Sequence, residues 1–305
     1  MKNYFIINPV AGKGKAIEIV EKQIEIVSEE LKKDNEFIII HTHHPGDGTE
    51  ICKEICEENK DQVINVFACG GDGTCFEVLN GIIGYKNVRF GMLPVGSCND
   101  FLKTFPGYDF LDIEKQLKGK TIDVDTVKVN DEYIINVANF GFDARANDDQ
   151  LKLRSKYKSV KTAYNMALVK NILSPKLGDS VEVTVDGKKV FEGKMLLSAV
   201  ANAKYYGGGY KCAPLADVSD GLIDVVLVRK ISVITFAKLV KFYKAGEHLN
   251  NKKFDKYVTF VRGKDIVINA KNDLTSSYDG EVRHSLNYHL EISDKKVKFI
   301  LPSAN

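Results

Sequence analysis

CGGDGTCFEVLNG, residues 69–81, follows an apolar run and opens onto a helical pattern. One glycine suffices for a tight strand-to-helix turn. Three, set around an aspartate, imply that something must come close to the backbone. Glycines at such a junction let amide groups face a ligand and clear away side chains that would block it. The helix starting near Thr74 adds the positive end of its dipole, so phosphate is the natural guest. Asp72 repels phosphate. Its roles would be to hold magnesium through water or to accept a proton from an attacking hydroxyl. The plainer alternative is a tight turn in which Thr74 and Glu77 form a capping box, which explains Glu77 taken alone better than a ligand does.

Working outward, the first third of the chain alternates. YFIINP, EFIIIHT, QVINVFACG and VRFGMLPVG read as strands. Charged segments of helical period lie between the first three, as in KAIEIVEKQIEIVSEELKK, where Ile17, Ile19, Val20, Ile24, Val27 and Leu31 recur near the helical repeat. Such alternation predicts βαβ units and a parallel sheet, with ligands beyond the carboxyl ends of the strands. All four of those ends, NPVAGKG, THHPGDG, CGGDGT and PVGSCND, are rich in small polar residues and glycine. Asn8 and Gly12, Thr42, and Gly96 with Ser97 and Asn99 would therefore line one edge with the CGGDGT turn. VAGKGKA lacks the first glycine and terminal hydroxyl residue of a Walker A loop, and no Gly-x-Gly-x-x-Gly follows a strand.

The pattern changes near LKGKTIDVD, residues 117–125. Strand-like runs with hairpin signals at Asn130-Asp131 and Asp186-Gly187 follow, interrupted by helical patterns at roughly 155–173 and 232–250. The second half is expected to be mainly antiparallel β, a sandwich or barrel-like domain. ADVSDGLID places Asp217 and Asp220 three apart before a strand, hard oxygens suited to magnesium or simply a turn. SSYDGEVRH sets Glu281 just after another Asp-Gly, a hairpin turn that could present a general base.

The 305 residues make two domains a fair expectation. No run is long and apolar enough to span a bilayer, and the N-terminus has no signal-peptide pattern. Six cysteines match no zinc or redox spacing and read as reduced thiols in a cytosolic protein. His41 and His43 read as solvated or packed, not as metal ligands. A net charge of +2 argues against nucleic acid. Residues 150–178 nevertheless contain no acid and seven basic residues, Lys152, Arg154, Lys156, Lys158, Lys161, Lys170 and Lys176, a candidate membrane-docking segment or a solvated helix face. The later ISVITFAKLVKFYKAGEHL reads as a core-packed helix with basic tips.

GGDGTCFEVLNG and GMLPVGSCNDF resemble the two signature blocks of the diacylglycerol kinase catalytic domain, a family that includes soluble bacterial lipid kinases and the sphingosine and ceramide kinases. NPVAGKGK, INVANFGFDA, ANAKYYGGGYKCAPLADVSDGLIDV and YDGE resemble its other blocks in order, over nearly the whole chain. The resemblance implies an ATP-binding α/β domain with a three-layer parallel sheet (1–125) and a β-rich lipid-substrate domain (126–305), with the active site in the cleft between them. It implies that ATP phosphates lie against Asn8, Pro9, Val10, Ala11, Gly12, Thr42, Gly71, Asp72, Gly73, Thr74, Cys75, Phe76, Glu77 and Ser97. It implies a structural Mg2+ on Asp217, Asp220 and the carbonyl of Leu222, with Glu281 as catalytic base and Asp72 organising the catalytic magnesium network. It further implies a lipid substrate, an anionic membrane surface as a peripheral partner at the inner face of the membrane, and a homodimer as an option. Ser97 and Cys98 stand where Thr and Gly are usual, and Asp47-Gly48 replaces the family's usual residues in its loop. An NAD kinase-like enzyme and a catalytically silent nucleotide- or lipid-binding regulator are the alternatives.

Overall fold

The computed structural model describes residues 1–97, 99–153 and 177–304, together with Tyr157, Thr162, Met166, Ala167, Lys170 and Asn171. Cys98, most of the acid-free window 150–178 and most of the helical pattern expected at 155–173 lie outside the described residues. The chain divides into two compact units: unit 1 is Met1–Thr126, Glu132–Ile135 and Ser293–Asn305, and unit 2 is Val127–Asp131 with Asn136–Ile292.

Unit 1 is built on a six-stranded sheet. β1 (Lys2–Ile7), β2 (Glu36–His41), β3 (Ile64–Cys69) and β4 (Val88–Leu93) are parallel and correspond to the four apolar runs. The strand order is β2-β1-β3-β4-β15-β5, where β5 is Lys120–Val124 and β15 is Val297–Leu301. Alternating side chains point to opposite faces of each strand. Phe5, Ile7, Phe67, Cys69 and Leu93 pack with Val20 of α2 (Ala16–Glu25) and Ile113 of α6 (Ile113–Leu117). On the other face Tyr4 meets Asn59 at the end of α4 (Asp47–Glu58), and Met92 meets Cys75 of α5 (Asp72–Ile82). These are the three expected layers. The helical period that runs on to Leu31 is interrupted, because Ser28 is extended and its amide donates to Glu114 at 2.8 Å, before α3 (Glu29–Asp34).

Ser293–Asn305 fall outside the unit that continues from residue 126, which the expected 126–305 domain had included. β15 enters the unit 1 sheet, parallel to β4 and antiparallel to β5. Its VKFIL run is buried at four of five positions, as suits a strand covered on both faces. Period alone could not say which sheet it would join.

Unit 2 is antiparallel. Its strands are β6 (Val127–Val129), β8 (Val137–Gly141), β9 (Asp179–Val185), β10 (Lys188–Ala201), β11 (Ile223–Arg229), β12 (Val258–Gly263), β13 (Asp265–Tyr278) and β14 (Glu281–Ile292). β8 and β9 both pair with β10 and with β13, at different ends of those long strands, so the sheet folds into a sandwich around a buried core. The β9–β10 hairpin turns at Asp186-Gly187, with φ 48° and 73°, as its sequence predicts. Asn130, at φ 53°, turns the chain into Glu132–Ile134, which is β7. Between β8 and β9 lies α7 (Phe142–Leu153), and between β11 and β12 lies α8 (Val233–Ala245). Ser232 caps α8 by accepting from the Thr235 amide, and Gly246 ends it at φ 77°. No described helix is long and apolar enough to cross a membrane.

Candidate active site

The turn after β3 explains its own glycines. A Cβ at Gly96 would sit 2.3 Å from the Gly71 Cα and 2.7 Å from the Gly70 carbonyl oxygen. The loops after β3 and β4 therefore touch backbone to backbone, and the Gly96 amide donates to the Gly70 carbonyl at 2.9 Å. A Cβ at Gly70 would lie 2.2 Å from Thr74 Oγ1. Asn99 adds a second donor to the Gly70 carbonyl at 2.9 Å. Neither reading of the sequence foresaw this: much of the glycine requirement comes from loop-on-loop packing that narrows the strand ends.

The loop after β1 joins the same edge. The Asn8 amide donates to the Cys69 carbonyl, and Asn8 Oδ1 accepts from Val10 N. Gly12, Lys13 and Gly14 are all left-handed, and a Cβ at Gly12 would come within 2.9 Å of the Val95 carbonyl oxygen. Thr42, at the end of β2, donates its amide to the Ile7 carbonyl. The ends of β1, β3 and β4 thus interlock through main-chain contacts. Asn8 to Gly12, Thr42, Gly71 to Thr74 and Ser97 all lie on these strand-end loops, with Ser97 exposed and Val10 at 80% exposure. Cys75 and Phe76 are buried in unit 1, and the Cys75 amide already donates to the Gly71 carbonyl at 3.0 Å, so neither faces a ligand as the resemblance implies.

Asp72 opens α5, with Gly71 extended before it and no side-chain cap. Its Oδ1 accepts from the Asp100 amide at 3.0 Å. Burial, with the Asp100 carboxylate close by, pushes its pKa up to about 6. The Asp100 carboxylate itself pairs with Lys103. Asp100 and Asn99 stand inside the quoted GSCND run, yet sequence reasoning gave Asp100 no role.

The capping box does not form. α5 starts two residues before Thr74, and the Glu77 carboxylate reaches to the loop after β2, accepting from Gly46 N at 2.8 Å and Gly48 N at 3.0 Å. Thr49 Oγ1 donates to the Glu77 carbonyl. A Cβ at Gly48 would fall 2.8 Å from Glu77 Oε2, so Asp47-Gly48 suits this clamp: the glycine admits the carboxylate, and Asp47 accepts from His43 N at 2.6 Å. Glu77 organises the loop with both its carboxylate oxygens.

In unit 2 the YDGE turn is fixed from two sides. Asp279 is left-handed at φ 45°, and its buried carboxylate accepts from Val137 N at 2.9 Å and Asn136 N at 3.3 Å. Asn147 of α7 donates to the Gly280 carbonyl and to Ser277 Oγ, each at 3.1 Å. Glu281, the first residue of β14, is thereby held at the mouth of a tight hairpin, with Arg283 at 3.9 Å from its carboxylate. The second group in unit 2 is the loop before β11. Asp217 Oδ1 accepts from Ser219 N and Oγ, and Asp220 Oδ1 accepts from Leu222 N. Arg262 holds this loop. It donates to the Leu215 carbonyl, pairs with Asp224 at 2.7 Å and lies 3.6 Å from Asp220 Oδ2. Asp217, Asp220 and the Leu222 carbonyl offer oxygen donors of the chemical kind that magnesium takes. Asp143, in the GFDA run, is buried and accepts from Tyr206 Oη, and its pKa is pushed up to about 6 by burial. Asn147, Asp279, Arg262 and Asp143 are the supporting residues that the sequence reading passed over.

Comparison with known proteins divides the chain in sequence order, with β15 inside the second match. Residues 2–129 match the model of the diacylglycerol kinase catalytic domain, and residues 136–301 match that of the YegS C-terminal NAD kinase beta sandwich-like domain. A diacylglycerol kinase of Bacillus subtilis (strain 168) is 29% identical over 282 residues, 90% of this chain and 88% of that one. A crystal structure of a Bacillus anthracis str. Sterne protein, provisionally assigned as a diacylglycerol kinase, superposes with a TM-score of 0.73 at 26% identity, covering 98% of this chain and 97% of that one. An NAD kinase from Archaeoglobus fulgidus, solved in complex with ATP, shares the fold at a TM-score of 0.50 and 14% identity, over 98% and 93% of the two chains.

Proposed function

The chain belongs to the diacylglycerol kinase catalytic-domain family, a family of kinases, and from that premise we propose that it transfers the γ-phosphoryl group of ATP to a lipid hydroxyl, diacylglycerol first, giving phosphatidic acid. The observation that carries this reading is the interlocked set of strand-end loops, in which Gly96 lies against Gly70 and Gly71 beside the start of α5. Loops packed this closely give a triphosphate main-chain donors held in place before it arrives, and the α5 dipole favours negative charge there.

Phosphoryl transfer asks chiefly for positioning and charge neutralisation. Asn8 to Gly12, Thr42, Gly71 to Thr74 and Ser97 would orient the phosphates. Asp72, mostly ionised at neutral pH given a pKa of about 6, would order the polar groups around them. Glu281, steadied by the Asp279 and Asn147 contacts, would accept the proton of the attacking hydroxyl. Asp217, Asp220 and the Leu222 carbonyl would hold the structural magnesium, and magnesium at the phosphates would supply neutralisation of developing charge. A lipid acceptor implies work at the inner face of a membrane, as a peripheral protein.

Radiolabelled ATP, supplied with a panel of diacylglycerol, monoacylglycerol, phosphatidylglycerol, undecaprenol, a sphingoid base and NAD, tests the reading by thin-layer separation. Label in phosphatidic acid supports it. Label in NADP alone, a reaction suggested by the fold likeness to the Archaeoglobus fulgidus NAD kinase, replaces it. ATP binding with no labelled product points to a silent regulator.

A further inference from the structure

We propose that the outer face of α8, with the loop that follows it, docks the protein on an anionic lipid bilayer. The inference takes its partner from the lipid-acceptor reading, but its test measures binding without ATP and so stands apart from that reading. α8 lies on the unit 2 sheet through Phe236, Leu239 and Tyr243, which pack with Leu197, Val226 and Val228. The residues left outside follow helical spacing: Ile234, Lys238, Lys241 and Ala245 are exposed, with Lys244 beside them. The loop carries Lys252, Lys253 and Lys256, all exposed. Phe254 pins it against the helix, its ring centroid 6.0 Å from that of Phe242.

Six exposed lysines thus share a surface with two acids, Glu247 and Asp255. Elsewhere the surface lysines are commonly matched, as Lys32 is with Glu29, Lys118 with Glu114, and Lys189 with Glu182 and Glu192. Among the described residues, none of the six lies within ion-pair distance of a carboxylate. Three of them stand over aromatic rings instead: Lys241 over Phe242 at 4.9 Å, Lys244 over Tyr210 at 5.2 Å and Lys256 over Tyr257 at 4.9 Å. That pairing keeps ammonium groups beside apolar surface, the mixture found at a bilayer interface. Ile234, 70% exposed at the start of the helix, decides between two anionic partners. A phosphate backbone offers it nothing to bury against, whereas the acyl boundary of a bilayer does.

The test is co-sedimentation with vesicles of phosphatidylcholine alone and of phosphatidylcholine mixed with phosphatidylglycerol, without nucleotide, at low and high salt. Binding is expected only to the anionic vesicles and to fall with salt. K238Q/K241Q/K244Q should lower partitioning about 100-fold, roughly fivefold per lysine. I234S should lower it further in a step that salt does not abolish. If the helix triple fails to fold, K252Q/K253Q/K256Q carries the same test on the loop. Unchanged partitioning of these variants overturns the proposal. So does loss of binding confined to K156Q/K158Q/K161Q in the acid-free window, or binding to an RNA oligomer with none to vesicles. Docking that follows the prediction while no lipid is phosphorylated leaves the surface standing and removes the kinase acceptor. Lipid phosphorylation in neutral micelles by variants that still bind vesicles does the reverse.

Discussion

Replacing Glu77 with alanine separates a helix cap from a loop clamp. The carboxylate accepts two main-chain hydrogen bonds, from Gly46 at 2.8 Å and from Gly48 at 3.0 Å. A hydrogen bond to a charged group contributes about 1.5–3 kcal/mol when its partner stays dry. The Gly46 amide is near the surface and regains water, so it sits at or below the low end, while Gly48 is buried. Together they predict a loss of about 3 kcal/mol for Glu77→Ala. Glu77→Gln, which keeps one acceptor oxygen, should lose roughly half of that. Urea midpoints at a common slope give the numbers. Thr74→Ala supplies the control: a capping box would couple positions 74 and 77, whereas the clamp makes the two changes additive within about 0.5 kcal/mol. Glu77→Ala within about 0.5 kcal/mol of the parent, or a clear coupling to Thr74, would refute the clamp.

Glu281→Gln and Asp72→Asn should each cut lipid phosphorylation by about 10²–10⁴-fold while the circular dichroism melt stays that of the parent; a folded Glu281→Gln enzyme of full activity removes the base. Gly96→Ala drives a methyl into main-chain atoms at 2.3–2.7 Å and should cost about 1–3 kcal/mol and weaken ATP binding, read by urea midpoint and by titration with the nucleotide. His248 is buried, its Nε2 donating to the Cys212 carbonyl at 3.0 Å, and burial pushes its pKa down to about 4. The unfolded chain then binds the extra proton between pH 6.5 and about 4, so this group's contribution is full above pH 6.5 and is lost as pH falls through that window, by up to about 3 kcal/mol. His248→Gln should flatten that limb of melting temperature against pH. Asp143, raised to about 6, acts oppositely, since its folded form holds the proton between pH 3.8 and 6. Asp143→Asn should therefore steepen the acid loss.

Unit 1 was legible because each of its first four strands is an apolar run ending in glycine and small polar residues, and period and punctuation coincide there. The hairpins at Asn130 and Asp186 were legible for the same local reason, that few residues accept a positive φ. β15 was readable as a strand but not as a member of unit 1, because which strand it pairs with is a long-range choice. The site divides in the same way. The strand-end loops announce themselves by composition. The partners that shape them do not: Glu77 looked like a cap because a capping box and a clamp share one spacing. Asn147 and Arg262 act on residues far along the chain, Gly280 and Leu215, and no local pattern marks either.

The pairing of β6 with β14 has a consequence for how the protein assembles. Val127 lies opposite Ile292, so unit 2, once formed, holds its two chain ends side by side. The Ser293 amide then donates to the Thr126 carbonyl, Lys296 meets Asp125 at 2.7 Å, and β15 runs on against β5. Without that arrangement, β15 must find β5 across the whole intervening span of chain. With it, the search shrinks to a few residues, a saving of about 3 kcal/mol in closure entropy. The later-numbered unit should therefore mature before the earlier one seals its sheet, an inversion of the usual order of synthesis. Until then, the free edge of β4 is where a nascent copy is exposed to mispairing.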